Sequence, residues 1–235
     1  MFLKRKSYEN RKLCKVVISK HEKFREKFQL SEITDNHKKV MEVISMINKS
    51  NAKVVDFGGG GGTLYFVAEK FFPEASFDWN VVETKQMVKQ ARKFINNGPN
   101  FHSDILKLLK KNDFDLLIVS SSLQYLPNPL GFLDEIMDKK IDYIFFTRTP
   151  LTNLSRSYSF LHESYLSENG PGELPRGIKD KKVFYPCNIP AKIDFLNTLQ
   201  GKFNILEIYT ENQFQTKFES VELYGILAKK VTSVG

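Results

Sequence analysis

Hydrophobic and polar positions change period repeatedly along this chain. In "AKVVDFGGGGGTLYFVAEKFF", Ala52 to Phe72, a short buried run, KVVDF, gives way to helical spacing over Thr63–Phe72. "FDWNVVE" is a second strand-like run ending at Glu83, and Thr84 is suited to cap a helix running to about Asn96. A short strand over Asn100–His102 leads into "SDI" and a brief helix. "FDLLIVSSS" carries the strongest strand pattern, Asn128 or Pro129 opens the next helix, and "IDYIFFT" is another buried strand. Strands alternating with helices of this length predict βαβ units and a parallel sheet.

The last part breaks that rhythm. "FNILEIYT" and "VELYGILAKK" are separated by about ten polar residues, Glu211–Ser220, too few for a crossover helix, so the pair is predicted to be antiparallel. Pro150–Pro190 shows little periodicity and contains the turn-rich "SENGPGELPRG". Its aromatics, Tyr158, Phe160, Tyr165, Phe184 and Tyr185, suit an ordered lid of about 150–190 rather than a loose linker.

The glycine run raises the chemical question. Each ordered glycine costs roughly 0.5–1 kcal/mol relative to alanine, so five in succession, Gly58–Gly62, imply that something lies against bare backbone. The dinucleotide fingerprint G-x-G-x-x-G fails: from Gly58 its third glycine falls on Thr63, and from Gly59 on Leu64. An acidic residue, a hydrophobic one and then G-x-G-x-G does fit, as Asp56, Phe57, Gly58, Gly60 and Gly62.

"VVDFGGGGG" with Glu83 closing the next strand resembles the class I S-adenosylmethionine-dependent methyltransferases. "DFGGGGGTLYF", "WNVVE", "SSSLQYL", "DYIFFTRTP" and "YPCN", in that order, resemble more narrowly a little-characterised bacterial family associated with surface-polysaccharide biosynthesis. The resemblance implies an α/β, Rossmann-like methyltransferase fold: a mostly parallel seven-stranded sheet with a C-terminal antiparallel hairpin, an N-terminal helical segment and an inserted lid. The uneven charge marks a basic helical arm over 1–35, and a methyltransferase domain is expected over 36–235.

By that resemblance S-adenosylmethionine is the cofactor. Gly58 and Gly60 would let backbone approach its methionyl part, and Asp56 would orient the loop and the ammonium group. Glu83 would accept both ribose hydroxyls, which suits a carboxylate. Asp104 would receive the adenine amino group, although Ser-Asp before an apolar helix is also ordinary capping. Ser121 would face the cofactor from the exit of the fourth strand.

Departures narrow the reading. No Asn-Pro-Pro-aromatic motif follows the fourth strand, which disfavours DNA bases and protein amides as acceptors, and no Asp/Asn/His cluster resembles that of the metal-dependent catechol-type enzymes, so no metal is expected. Gln124 and Tyr125 stand in "LQYL" where many small-molecule relatives carry "LEHL"-like residues. An alcohol acceptor must lose a proton, and His162, in the lid, is the base expected among His21, His37, His102 and His162. Arg148, leaving the fifth strand, would hold a phosphate or carboxylate of the substrate, with Tyr125 and Tyr185 lining the cavity. Cys187 reads as a pocket wall, because direct transfer needs no thiol nucleophile.

Charge and composition add limits. Net charge is +8, and residues 1–40 hold twelve Lys/Arg against five Asp/Glu. Such an arm attracts phosphates, nucleic acid or anionic lipid, or is only a solvated amphipathic helix. No motif reads RNA or DNA, so no nucleic acid is expected. The two cysteines have neither metal nor disulfide spacing. With neither a secretory pattern nor a transmembrane run, the expected location is cytoplasmic. The function expected is O-methylation of a sugar, nucleotide-linked sugar or small polar metabolite. The alternatives are a phosphate- or amine-type acceptor, or a non-catalytic cofactor-binding scaffold.

Overall fold

In a computed structural model, residues 8–211 and 220–231 are described. The first seven residues of the expected arm and most of the polar link between the last two strands lie outside them. The order is α1 (Arg11–Lys27), α2 (Asp35–Ile47), β1 (Asn51–Phe57), α3 (Thr63–Phe71), β2 (Ser76–Val82), α4 (Lys85–Phe94), β3 (Asn100–His102), α5 (Ile105–Lys111) and β4 (Phe114–Ser120). Then come α6 (Pro129–Met137), β5 (Ile141–Thr152), β6 (Tyr158–Tyr165), β7 (Lys182–Ile189), α7 (Lys192–Gln200), β8 (Phe203–Thr210) and β9 (Val221–Lys230).

Seven strands form one sheet in the order β3-β2-β1-β4-β5-β9-β8, and β6 and β7 form a second of two strands. β1 pairs in parallel with β2, β2 with β3 and β4 with β5. β9 runs antiparallel to both β5 and β8. The predicted mostly parallel sheet with a terminal antiparallel hairpin is the fold of this chain.

The chain divides into two compact units, Met1–Ile105 with His162–Tyr185, and Leu106–Leu161 with Pro186–Gly235. The first is built on β1, β2 and β3. Val54, Val55, Trp79 and Val81 are buried in its sheet, and Val40, Val67, Met87 and Ala91 are buried on its helices. α1 starts where the Asn10 side chain accepts hydrogen bonds from the Lys12 and Leu13 amides, at 2.9 and 3.3 Å. Thr84 caps α4 as expected, accepting from the Met87 amide at 3.3 Å.

In the second unit, Leu116–Val119 and Ile144–Phe146 are fully buried, which is why these strands read as unbroken apolar runs. Phe146 meets Phe195 of α7 edge to face at 5.0 Å. Asn128 caps α6 through the Gly131 amide, with Pro129 as its first residue. β5 continues past Thr147 to Thr152, with a register shift against β9 between Phe146 and Thr149.

Candidate functional site

In the first unit the loop after β1 turns through three glycines in the left-handed region: Gly58 (φ 78), Gly60 (φ 59) and Gly62 (φ 82). That alternation is available to glycine at little steric cost. The Gly58 amide donates to the Val82 carbonyl at 2.8 Å, which ties the loop to the end of β2. Asp56 is fully buried beneath the loop, and a Cβ on Gly59 would collide with its carboxylate.

Glu83 follows β2. Its Oε1 accepts from the Gly60 amide at 3.1 Å and its Oε2 from the Thr84 amide at 2.9 Å. Burial raises its pKa, and the two backbone donors pull the other way. The carboxylate is therefore held by main chain, with lone pairs left for further donors.

A residue that the sequence did not single out completes this region. His21 of α1 is buried, and its Nδ1 lies 2.6 Å from Thr63 Oγ1. A Cβ on Gly60 would come within 2.6 Å of His21 Nε2. Burial, then the Lys20 charge, depresses the His21 pKa to about 3, so its ring is neutral at physiological pH. A signal existed: Lys20 and His21 continue the buried face of α1 after Leu13, Cys14, Val16, Val17 and Ile18, so polar residues interrupt an apolar stripe. Lys20 is fully buried and donates to the Ser167 carbonyl at 2.5 Å.

The segment before α1 reaches the same turn. The Tyr8 carbonyl accepts from Thr84 Oγ1 at 2.7 Å, and from Cys14 Sγ at 3.0 Å. Its hydroxyl donates to Asn169 Oδ1 at 2.9 Å, and its ring stacks on Tyr185 with centroids 5.3 Å apart. His162, expected on a lid, lies in β6, half-buried, with its ring edge to face on Tyr185 at 5.0 Å. Tyr185 itself is buried. Asp104 is exposed just before α5. His102 shares a hydrogen bond with Asn80 Oδ1 at 2.9 Å, beside the end of β2.

In the second unit two residues at strand exits adopt left-handed backbone without being glycine: Ser121 (φ 49) and Arg148 (φ 51). Such residues carry a cost on the order of 1–3 kcal/mol each and persist where surroundings hold them. The Ser121 amide donates to the Thr147 carbonyl at 3.0 Å. Glu211 Oε1 accepts from Thr147 Oγ1 at 2.7 Å and from the Arg148 amide at 2.8 Å. The Arg148 guanidinium donates through Nη2 to Ser120 Oγ at 2.9 Å. Gln124 is buried and donates to Ser121 O and Oγ at 3.1 and 3.2 Å, and Tyr125 beside it is half-buried. Cys187 packs with Ile189 and Val221, against Tyr158 and Phe160. Burial raises its thiol pKa to about 12, the behaviour of a packed side chain.

The first unit's residues fit a cationic nucleoside. Glu83 offers oriented acceptor capacity for a diol, and the buried Asp56 suits a positive charge near the loop. At Gly60, however, the missing side chain makes room for His21, so bareness there is used by the protein itself. Among the described residues no group of three His, Cys, Asp or Glu side chains could hold a metal ion. No helix among them is long and apolar enough to cross a membrane.

No family model and no curated protein matches the chain. Solved structures do match. A S-adenosylmethionine-dependent methyltransferase from Clostridium acetobutylicum aligns over 91% of this chain and 99% of its own, at 15% identity and a TM-score of 0.54. The glycopeptide N-methyltransferase MtfA, complexed with sinefungin, covers 86% of this chain and 89% of its own, at 10% identity and a TM-score of 0.55. The N-terminal domain of EvdMO1 with SAH bound covers 85% and 83%, at 11% identity and a TM-score of 0.53. At these identities the likeness is one of fold.

Proposed function

We propose that this protein is an S-adenosylmethionine-dependent methyltransferase that methylates a hydroxyl of a sugar, nucleotide-linked sugar or related small polar metabolite in glycan biosynthesis. The observation that carries the reading is the Glu83 carboxylate, fixed by the Gly60 and Thr84 amides at the end of β2. It stands on a fold solved elsewhere with SAH or sinefungin bound. The motif order that resembles a surface-polysaccharide family supports the glycan context.

The cofactor, when bound, supplies a methyl group already activated by its own leaving sulfur. The chain's work is then alignment, exclusion of water and proton removal. Glu83 would accept hydrogen bonds from the ribose hydroxyls. Asp56 would set a negative potential under the loop, and Gly58, Gly60, Asp104 and Ser121 are the other residues we assign to the cofactor. Arg148, Tyr125 and Tyr185 are the residues we assign to the acceptor, Arg148 to an anionic group on it. His162 would take the proton that an acceptor hydroxyl must lose during transfer.

The test is direct. Cofactor and its demethylated product raise the melting temperature of the wild-type chain, since a ligand that binds only the native state stabilises it by mass action. Glu83→Ala abolishes most of that rise. Incubation with cofactor and a panel of nucleotide sugars yields a product heavier by one methylene. A melting shift without any methylated sugar sinks the acceptor assignment, and no shift sinks the cofactor assignment.

A further inference from the structure

Positive charge is concentrated on the two helices that flank the glycine loop. α1 and α4 together contain eleven Lys/Arg and two Glu, a formal excess of about +9 where the whole chain carries +8. On α1, Arg11, Lys15, Lys23 and Lys27 follow one four-residue ridge, with Ser19 filling the gap, and all four cations are exposed. On α4, Lys85, Lys89 and Lys93 follow another, also exposed, and α4 has no acidic residue. Among the described residues none of these seven cations sits in an ion pair.

The two ridges run in the same direction. At the helix starts, the Gln86 amide donates to Glu9 Oε2 at 3.3 Å and Thr84 Oγ1 donates to the Tyr8 carbonyl. At the far ends, the Arg25 guanidinium donates to the Asn96 and Asn97 carbonyls at 2.9 and 3.1 Å. Pinned at both ends, the helices hold their like charges together. Like charges four residues apart disfavour a helix, so each ridge costs some helix stability.

We propose that the α1–α4 face is a docking surface for an anionic phospholipid bilayer. A long, shallow array of lysines matches a plane of phosphate headgroups, and clustered Lys/Arg on amphipathic helices bind such surfaces by summed attraction. Lysine predominates in both ridges. It acts as a hydrated point charge, without the planar fork that favours Arg for paired recognition of bases and phosphates. Neither helix exposes an aromatic ring on which bases stack.

Co-sedimentation of the full chain with vesicles tests this. Vesicles of about 30% phosphatidylglycerol in phosphatidylcholine pull the protein down at low salt, pure phosphatidylcholine vesicles do not, and about 0.5 M salt releases it. The triple variant Lys85→Glu, Lys89→Glu, Lys93→Glu and, separately, Lys15→Glu with Lys23→Glu bind the anionic vesicles at least tenfold more weakly. A matched reversal of Lys140, Lys202 and Lys229, exposed in the second unit, leaves binding within twofold. Melting curves with the cofactor verify that each variant is folded. The proposal falls if anionic vesicles leave the wild type in solution or if the control reversal weakens binding as much. It also falls if a nucleic acid duplex competes the protein off the vesicles at equal phosphate concentration.

Discussion

His21 Nε2 occupies the space that a side chain at residue 60 would require: a Cβ built on Gly60 lies 2.6 Å from it. The glycine loop and α1 are thus fitted to one another, with Thr63 Oγ1 fixing the ring from its other nitrogen at 2.6 Å. This pairing gives the glycine run a structural purpose in addition to any ligand.

Gly60→Ala combines that clash with a residue forced to φ 59. The expected loss of stability is about 2–4 kcal/mol, from overpacking plus left-handed strain. His21→Ala in the same chain removes the clash and leaves the strain, so the double variant loses less than the sum of the two singles. Urea midpoints of the four chains measure the coupling, and strict additivity would show that the ring does not press on the loop.

Acid sensitivity follows from the same ring. Its folded-state pKa is about 3 against an ordinary 6.5. Between those values the unfolded chain binds a proton that the native chain does not. Stability from this residue is therefore fully present above pH 6.5 and is lost as pH falls from 6.5 toward 3, with a limiting slope of about 1.4 kcal/mol per pH unit. His21→Gln removes that part of the slope. Denaturation series at several pH values, comparing the two proteins, check it.

Glu83 has a raised pKa because it is buried. In the proposed role its ionised form would accept from two hydroxyls, so cofactor affinity is expected to fall as pH drops through that raised value. Glu83→Gln keeps the size but offers one acceptor oxygen, and it weakens binding by roughly 10- to 100-fold, about 1.5–3 kcal/mol, the range for a lost charge-assisted hydrogen bond. Calorimetric titration with the demethylated cofactor across pH 5–8 reads both effects.

Arg148 depends on Glu211. Removing that carboxylate leaves the Arg148 amide and the Thr147 hydroxyl without their acceptor, at a residue already in left-handed backbone. Glu211→Ala is expected to cost about 1–3 kcal/mol. In an Arg148→Gly background the loss is smaller, because glycine adopts φ 51 without strain. Arg148→Ala lowers turnover of an anionic acceptor while the cofactor-induced melting shift stays as in wild type. Equal loss of both readouts would assign Arg148 to folding alone.

What was legible in the sequence was what neighbouring residues decide. Thr84 and Asn128 cap α4 and α6 because a hydroxyl or amide oxygen two or three residues upstream reaches free amides. β4 and β5 announce themselves as unbroken apolar runs because both their faces are buried. The short link before β9 excluded a crossover, and β8–β9 is antiparallel. The stretch Pro150–Pro190 was harder to read. β5 runs through Pro150, the exposed positions of β6 include Leu161 and Tyr165 so its burial alternates where its hydropathy does not, and α7 begins only after Ala191. Short strands in a two-stranded sheet take their shape from partners, and little of that is written in local period.

The sequence by itself determined the alternating strands and helices, the caps, and the glycine loop between Asp56 and Thr63. Each follows from backbone preferences within a few residues. Only the tertiary structure decided that His21 fills the space above Gly60, and that Glu83 takes its amides from Gly60 and Thr84. It also decided that Arg148 is held in left-handed backbone by Glu211. These contacts join residues remote in the chain, and packing alone brings their atoms within reach.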